Sequence, residues 1–157
     1  MIATMTETEI DALLDRVLYA HLGCHSAGRT YVVPISFARS GSDIVGCTTE
    51  GMKIQLMREN PEVCFQIDEV QDLTNWKSAI ILGRFEELHR SEEIEAMSLM
   101  IDRYGPIFQE NPSGSRRGRE VTPDRLDGKP SRRVLYRIRI SKKTGRAEIP
   151  ETSNHSS

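Results

Sequence analysis

The chain has 157 residues, of which 38% are hydrophobic and 28% are charged, and its formal net charge is −2. This length and composition are typical of one globular domain with a single hydrophobic core. No apolar stretch approaches the roughly 20 residues that a membrane-spanning helix needs, and the first residues do not resemble a signal peptide. Because Cys24, Cys47 and Cys64 form no CxxC pair, we expect reduced thiols and a cytoplasmic protein.

The first third of the chain predicts one short helix followed by three strands. Thr6 and Glu9 have the spacing of a capping box, and apolar residues follow at helical intervals. The strands are expected at residues 17–24, 30–38 and 44–49, with turns at 25–28 and 40–43. Pro34 lies inside the second of them. Because proline donates no ladder hydrogen bond, it indicates an edge strand or a bulge.

The remainder predicts further helices and strands, a long loop and a tail. A short helix begins near Met52 and is stopped by Asn60 and Pro61, and a second runs from Ser91 until Gly105 and Pro106 end it. Strands are expected at 62–68, 76–89, where Gly83 indicates a bulge, and 132–141. Residues 109–131 have no period and predict a long loop, and residues 145–157 predict a disordered tail.

Six strands joined by short turns, with a few flanking helices, predict a mainly β fold. Because alternating βαβ units are missing, a parallel doubly wound sheet is excluded, and we expect a six-stranded antiparallel split β-barrel. Residues 1–144 would form this single domain.

Basic residues are concentrated late in the chain. Twelve of the 21 lysines and arginines fall between Arg116 and Arg146, where only three acidic residues occur. Such asymmetry occurs at nucleic-acid surfaces, but it is equally typical of a solvated face or of a contact with an acidic sister subunit. Few aromatic residues are interleaved with these arginines, and this argues against nucleic-acid binding.

The stretch CTTEGMK, residues 47–53, joins the third strand to the following helix. Thr48 and Thr49 offer hydroxyl donors, Gly51 permits close approach of the backbone, and Lys53 adds a positive charge. Because N–H groups at a helix N-terminus bind anions, this stretch predicts a small anion site. It is not a P-loop and contains no GxGxxG. The alternative is an ordinary strand-to-helix turn with an exposed lysine.

Four stretches occur in one order with short gaps: RTYVVPISFA, CTTEGMK, NPEVCFQIDEV and WKSAIILGRFEEL. This order resembles the FMN-binding split-barrel proteins related to pyridoxamine 5′-phosphate oxidase, particularly their nitroimidazole-resistance branch. The resemblance covers residues 10–104 and the stretch ISKKTGRAE.

The resemblance implies a cofactor site. The backbone of Val33, Pro34, Ile35 and Ser36 would lie along the polar edge of the flavin ring. Thr48 and Thr49 match positions that bind the ribityl and phosphate end, and Lys53 matches the phosphate-binding lysine. Further candidate cofactor contacts are Met52 and the segment Trp76, Lys77 and Ser78, which in this family reaches over the cofactor of a neighbouring subunit. Trp76 could instead fill the barrel.

Two departures from the family's oxidase bear on the activity. Met52 stands where that enzyme has an arginine beside the phosphate lysine, and the end GRAEIPETSNHSS lacks its arginine-bearing substrate segment. We therefore expect a relative that does not oxidise vitamin B6.

The expected function is an FMN-dependent oxidoreductase of a small molecule, acting as a homodimer with its sites at the interface. FAD could replace FMN, and NAD(P)H could be the electron donor. No catalytic residue and no metal-ligand pattern are identified. The alternative is a non-catalytic carrier of flavin or haem on the same barrel; haem would require one of the histidines His21, His25, His89 and His155.

Overall fold

The computed structural model describes residues 1–110 and 132–151, with three helices and eight strands in those ranges. In chain order they are β1 Ile2–Thr4, α1 Glu7–Arg16, β2 Ala20–Ser26, β3 Arg29–Ile35, β4 Ala38–Ser40, β5 Asp43–Thr49, α2 Met52–Glu59, β6 Glu62–Asp72, β7 Asn75–Glu87, α3 Ser91–Glu110 and β8 Arg133–Glu148.

The strands form one antiparallel sheet in the order β3-β2-β6-β7-β8-β5-β4, and β1 pairs with the end of β8. The first and last strands of this order, β3 and β4, are consecutive in the chain, with only Ser36 and Phe37 between them. The sheet must therefore curl until its two ends meet. The result is a mainly antiparallel split β-barrel, as the sequence predicted.

The core lies inside the barrel, because side chains alternate between the two faces of each strand. Along β6, for example, Val63, Phe65 and Ile67 are buried, whereas Cys64 and Asp68 between and after them are exposed. Helices α1 and α2 contribute to this core. A smaller apolar cluster lies outside the barrel, where α3 covers β4, β5 and β8; its buried members are Ala38, Val45, Leu88, Ala96, Met100 and Leu135.

Helix α3 is tied to the junction between β3 and β4. The Tyr104 hydroxyl lies 2.6 Å from the carbonyl oxygen of Leu18 and accepts a hydrogen bond from the N–H of Phe37 at 3.0 Å. The Arg103 guanidinium donates to the carbonyls of Leu14 and Val17 and stacks 4.6 Å from the centre of the Phe37 ring. These contacts fix the point at which the barrel closes.

Several local predictions are confirmed. The Thr6 side chain and the Glu9 carboxylate complete the capping box of α1. Pro34 lies on β3, which is at the end of the strand order within the chain. Gly83 lies at a bulge, because the register of β7 on β8 shifts between Leu82 and Gly83. A β-carbon at Gly83 would lie 2.6 Å from the Arg139 carbonyl oxygen, so the strands could not approach as closely with another residue.

The strand count differs from the six expected. The stretch TYVVPISFA is interrupted at Ser36 and Phe37, so it supplies two strands, and the short β1 was not predicted. The first predicted strand begins later than residue 17, because Val17 ends α1 by donating its N–H to the Leu13 carbonyl.

The predicted C-terminal ends of the last helix and the last strand also need correction. Helix α3 continues through Pro106 to Glu110. A proline inside a helix loses one backbone hydrogen bond and crowds the carbonyl four residues earlier, but the contacts of Arg103 and Tyr104 with the barrel hold this part of the helix. Strand β8 continues to Glu148, so residues 145–148 belong to the barrel and not to the tail. Residues 111–131 of the predicted loop and residues 152–157 of the predicted tail lie outside the described residues.

Candidate functional site

β3 lies near the end of β5 and the start of α2 at two points. At one of them the Arg29 Nη1 atom lies 3.7 Å from the Met52 sulfur. At the other, Ser36, which follows β3, and Cys47 of β5 line one cavity. The two ends of β3, Arg29 and Ile35, are six strand positions apart, or about 20 Å at roughly 3.3 Å per residue. We call the region between these two points the β3–α2 cleft.

The loop that follows β5 builds the α2 end of this cleft. Thr48 and Thr49 are the last residues of β5, where they pair with Val134 and Arg133 of β8. Successive strand residues face opposite sides, so the two threonine hydroxyls do not point into one space. Both side chains are partly buried. The two side chains therefore leave opposite faces of β5, and the contact of both with a cofactor stays a prediction from the sequence.

The N-terminus of α2 has the features that favour an anion. Its N-cap residue is Gly51, which has no side chain to accept hydrogen bonds from the first-turn N–H groups. The first turn carries no acidic residue, and Lys53 is its second residue. A β-carbon at Gly51 would meet only the Thr49 carbonyl oxygen, at 4.0 Å. The space in front of this turn is therefore open to a bound group.

An ion-pair cluster lies just behind this turn. Arg58, on the last turn of α2, donates to both oxygens of Glu50 at 2.9 and 2.7 Å and to both oxygens of Glu87 at 2.9 and 3.0 Å. These hydrogen bonds hold the pKa of each carboxyl below its usual value and raise the pKa of Arg58. Arg58 thus engages the carboxylate nearest the anion site.

Lys53 lies close to the β2–β3 ladder. Burial raises the pKa of the Cys24 thiol, as does the nearby Cys64, whereas the positive charge of Lys53 acts in the opposite direction. The Cys24 thiol donates to the Tyr31 carbonyl of β3 at 3.8 Å. The positive charge of Lys53 therefore acts on a residue of β2, the strand that pairs with β3.

The other end of the cleft is an apolar cavity of about 340 Å³, lined by Ser36, Cys47, Met100, Ile101, Tyr104 and Gly105. Its polar groups are few, so it suits a flat apolar group better than a charged one. Burial raises the pKa of the Cys47 thiol, and the charge of Arg133 partly offsets this increase. A neutral thiol is therefore favoured at this wall of the cavity.

Trp76, Lys77 and Ser78 lie elsewhere in the same chain. They begin β7, and β2 and β6 separate β7 from β3 in the sheet. The Trp76 indole donates to the Glu148 carboxylate at 3.1 Å, and Ser78 accepts a hydrogen bond from Gln66 at 3.1 Å. One chain therefore does not bring this segment to the β3–α2 cleft.

The predicted site residues other than Trp76, Lys77 and Ser78 lie on the elements that border the cleft. Val33, Pro34 and Ile35 belong to β3, Ser36 follows it, Thr48 and Thr49 end β5, and Met52 and Lys53 begin α2. That they contact a cofactor stays a prediction. Ile35 is buried and Val33 is packed against the core, so these two can offer mainly backbone groups. Sequence reasoning missed Arg29, Cys47 and Tyr104. The alternation of β5 could have indicated Cys47, but no local pattern connects Tyr104 or Arg29 with the cleft.

Other kinds of site find no support in the described residues. No group of three or more His, Cys, Asp or Glu side chains within residues 1–110 and 132–151 could hold a metal ion. In the same ranges no helix combines the length and the apolar character needed to cross a bilayer.

Comparison with known proteins gives one family and several similar structures. The profile of a family described as pyridoxamine 5′-phosphate oxidase matches residues 6–147. An uncharacterized protein of Rhizobium meliloti (strain 1021) is 30% identical over 151 residues, which cover 93% of this chain and 95% of that protein. A crystal structure of an FAD-binding protein from Mesorhizobium loti is 25% identical with a TM-score of 0.72, covering 95% of this chain and 99% of that one.

Two more distant structures show the same fold. A candidate 5-nitroimidazole antibiotic resistance protein from Bacteroides thetaiotaomicron has a TM-score of 0.66 at 17% identity, over 94% of this chain and 89% of that one. A haem storage protein from Vibrio cholerae has a TM-score of 0.61 at 17% identity, over 87% of this chain and 90% of that one.

Proposed function

Because this chain belongs to the pyridoxamine 5′-phosphate oxidase family, we propose that it binds a flavin nucleotide, FMN, in the β3–α2 cleft. The observation that carries the proposal is the cleft itself, with an anion-favouring helix N-terminus at one end and an apolar cavity of about 340 Å³ at the other. A flavin nucleotide has the same two parts, a charged phosphate and a flat ring system.

At the α2 end, Lys53 and the first-turn N–H groups would bind the phosphate. Gly51 leaves room for its approach. Because Arg58 engages the Glu50 carboxylate, the negative charge of that carboxylate is compensated before a phosphate arrives. Repulsion between that carboxylate and the ligand is thereby reduced.

At the cavity end, backbone groups of the segment from Val33 to Ser36 would orient the ring. Met100 and Ile101 would cover an apolar face, which also excludes water. The flavin supplies hydride or electron transfer through its N5 atom. The chain contributes binding and orientation, and we assign no catalytic acid or base.

The second half of the proposal is a homodimer. Val32, Gly23, Cys64 and Leu82 lie side by side on the outer face of the sheet, one on each of β3, β2, β6 and β7. On this face Val32, Val70, Ile80 and Leu82 are 63%, 62%, 51% and 43% exposed. An apolar face of this kind is typical of a protein interface. Through it a second chain would bring Trp76, Lys77 and Ser78 to the cleft.

The proposed activity is an oxidoreduction of a small molecule, with NAD(P)H as the electron donor. FMN is preferred over FAD because the cleft matches one phosphate and one ring system. Oxidation of vitamin B6 is not part of the proposal, since Met52 replaces the second phosphate cation and the expected substrate-binding arginine segment is missing.

A second candidate is a non-catalytic carrier of flavin or haem. It is favoured by His21, which lines a separate cavity of about 230 Å³ with Tyr19, Gln66 and Asp68. Turnover of NAD(P)H by the FMN-loaded protein separates the two candidates, because a carrier would not consume it.

The experiment that tests flavin binding is a titration of the purified protein. Its absorbance spectrum is recorded first, and the apoprotein is then titrated with FMN, FAD and riboflavin. We expect FMN to bind more tightly than riboflavin, because only FMN has the phosphate. A colourless protein that binds none of the three at large excess would contradict the proposal.

A further inference from the structure

Arg29 occupies a defined place at the phosphate end of the cleft. It is the first residue of β3 and follows the turn Ala27–Gly28, in which both residues have positive φ (51° and 76°). Such a turn fixes the register of a hairpin, and here it pairs Arg29 with Ser26. The position of Arg29 relative to β2 is therefore set by the hairpin and not by its own side chain.

The charged group of Arg29 extends to the start of α2. Its Nη1 atom lies 3.7 Å from the sulfur of Met52, the first residue of that helix. The side chain of Arg29 is exposed. In the described part of the chain no carboxylate forms an ion pair with it, and its side-chain contact is the one with Met52. A thioether is a weak acceptor, so this guanidinium retains most of its hydrogen-bonding capacity.

The start of α2 has the sign of charge that attracts an anion. The N-terminus of a helix carries a partial positive charge, and the guanidinium of Arg29 contacts the side chain of the first residue of α2. The first turn of α2 has no acidic residue to offset these positive charges. An anion at this point would be attracted by both the helix and the guanidinium.

Arg29 and Lys53 lie at the same corner. Lys53 is close enough to influence the Cys24 thiol, and Cys24 pairs with Tyr31 across β2 and β3. Arg29 is two residues before Tyr31, so both side chains leave the same face of β3. Lys53 is the second residue of α2 and Arg29 contacts the side chain of the first, so both charges belong to the start of this helix.

We propose that Arg29 is the second cation that binds the phosphate of the flavin nucleotide. The side chain of Arg29 reaches, from β3, the space that an arginine at position 52 would reach from α2. Met52 is thus a compensated departure from the family pattern and leaves the charge of the site unchanged. The inference rests on the proposed function and adds one named residue to it. The guanidinium can donate two parallel hydrogen bonds to a phosphate.

Its test is a comparison of phosphorylated and unphosphorylated flavin on four proteins: the wild type, Arg29→Gln, Arg29→Gln/Met52→Arg, and Arg90→Gln. Arg90 is the control, because it is also an exposed arginine but lies between β7 and α3, on neither border of the cleft and not on the apolar outer face of the sheet. Dissociation constants for FMN and riboflavin are measured by quenching of flavin fluorescence, and unfolding temperatures are recorded.

We expect Arg29→Gln to weaken FMN binding by about 10- to 100-fold, as expected for loss of a charged hydrogen bond. Riboflavin binding and the unfolding temperature should not change, and Arg90→Gln should match the wild type. The double variant should recover most of the FMN affinity, because it returns an arginine to the same space from the other side.

Three results would overturn the inference. Arg29→Gln might bind FMN as tightly as the wild type, or lose FMN and riboflavin equally; either outcome removes Arg29 from the phosphate. If Arg29→Gln/Met52→Arg recovers none of the FMN affinity, side chains at positions 29 and 52 do not reach the same phosphate. A wild type that binds neither flavin is a different outcome, which rejects the proposed function and the inference with it.

Discussion

Lys53 contributes a positive charge at the second position of a helix whose N-cap is a glycine. That position is common for a lysine at a phosphate site and costs the fold little when the side chain is exposed to solvent on one side. The residue is only partly buried. Replacing Lys53 should therefore weaken ligand binding and leave the stability of the fold nearly unchanged.

We predict that Lys53→Ala lowers the affinity for FMN at least tenfold, because a charged hydrogen bond to phosphate contributes about 1.5–3 kcal/mol. Its unfolding temperature should stay close to that of the wild type. Arg90→Ala, which removes an exposed cation between β7 and α3, is the control and should leave both quantities unchanged. Equal losses of affinity and stability in Lys53→Ala would indicate that the side chain supports the fold and not the phosphate.

Gly46 is required for packing. A β-carbon there would lie 2.4 Å from both the Cζ and the Oη atoms of Tyr136, whose side chain is 1% exposed. Burial also raises the pKa of the Tyr136 hydroxyl, so the ring is held as a neutral phenol inside the barrel. A ring of this size in the core cannot move aside without displacing its neighbours.

Gly46→Ala should accordingly destabilise the protein by about 1–3 kcal/mol or more, the usual effect of overpacking a core. Urea unfolding measures the free energy of unfolding. Gly51→Ala is the matched control: its φ is 179°, and the added carbon would meet only one atom, at 4.0 Å. The prediction fails if the two variants are equally stable.

Among the elements, α2 is anchored at its end by Arg58. The hydrogen bonds of this guanidinium to Glu50 and Glu87 join α2 to the β5–α2 loop and to the end of β7. Both carboxyls have a folded-state pKa below their ordinary value of 4.5, chiefly because Arg58 donates to their oxygens. The anchor should therefore depend on pH.

The sign of that dependence follows from the lowered pKa values. The ion pairs stabilise the folded state fully above about pH 4.5, and the stabilisation is lost as the pH falls through the folded-state pKa. We predict that Arg58→Met lowers stability at pH 7 and flattens its decline below about pH 4.5, as measured by denaturant unfolding. Glu50→Gln/Glu87→Gln should flatten the same decline. Parallel curves for wild type and Arg58→Met would contradict the prediction.

Elements were predictable from sequence where local signals agree. The capping box of α1 and the Asn60–Pro61 stop of α2 are local signals. Accordingly, α1 begins and α2 ends where the sequence predicted. The end of β8 was not predictable, because the bulge between Leu82 and Gly83 leaves Ser141 without a partner on β7. Beyond it the inward positions change from even to odd numbers, and the alternation that identifies a strand is broken.

Only those residues of the candidate site that are neighbours in the sequence could be predicted. Thr48, Met52 and Lys53 are sequence neighbours, and one pattern identified them together. Arg29 is 23 positions away from Met52, and only the packing of α2 against the β2–β3 hairpin brings the two side chains into contact. The prediction that Pro106 ends α3 was wrong for a similar reason. Contacts of Arg103 and Tyr104 with residues distant in the sequence hold the helix at this point.

At the scale of the whole molecule, the outer face of the sheet is the feature that a single chain leaves unexplained. Val32 projects from that face on β3, Ile80 and Leu82 project from it on β7, and each is more than two-fifths exposed. A second copy would cover them and would complete the proposed cofactor site with residues 76–78. Assembly and cofactor retention should therefore be coupled.

We predict that Ile80→Glu yields a monomer that releases FMN, because a charge would be buried without a partner in the interface. Its unfolding temperature as a monomer should be little affected, since Ile80 is 51% exposed in one chain. Ile94→Glu, at a 73% exposed position on α3, is the control and should remain dimeric. Sedimentation with detection at flavin wavelengths measures both properties. A fully liganded monomer at any dilution would contradict the coupling.

Strand β8 has a consequence for biosynthesis. It lies between β7 and β5, which precede it in the chain, and it also pairs with β1. Until the ribosome has released residues 133–148, β5 and β7 of the nascent chain each have an unpaired edge, and the barrel cannot close. Edges of that kind attract other chains, so translation that stalls before this strand should produce aggregates or chaperone-bound intermediates, and no partly active fragment.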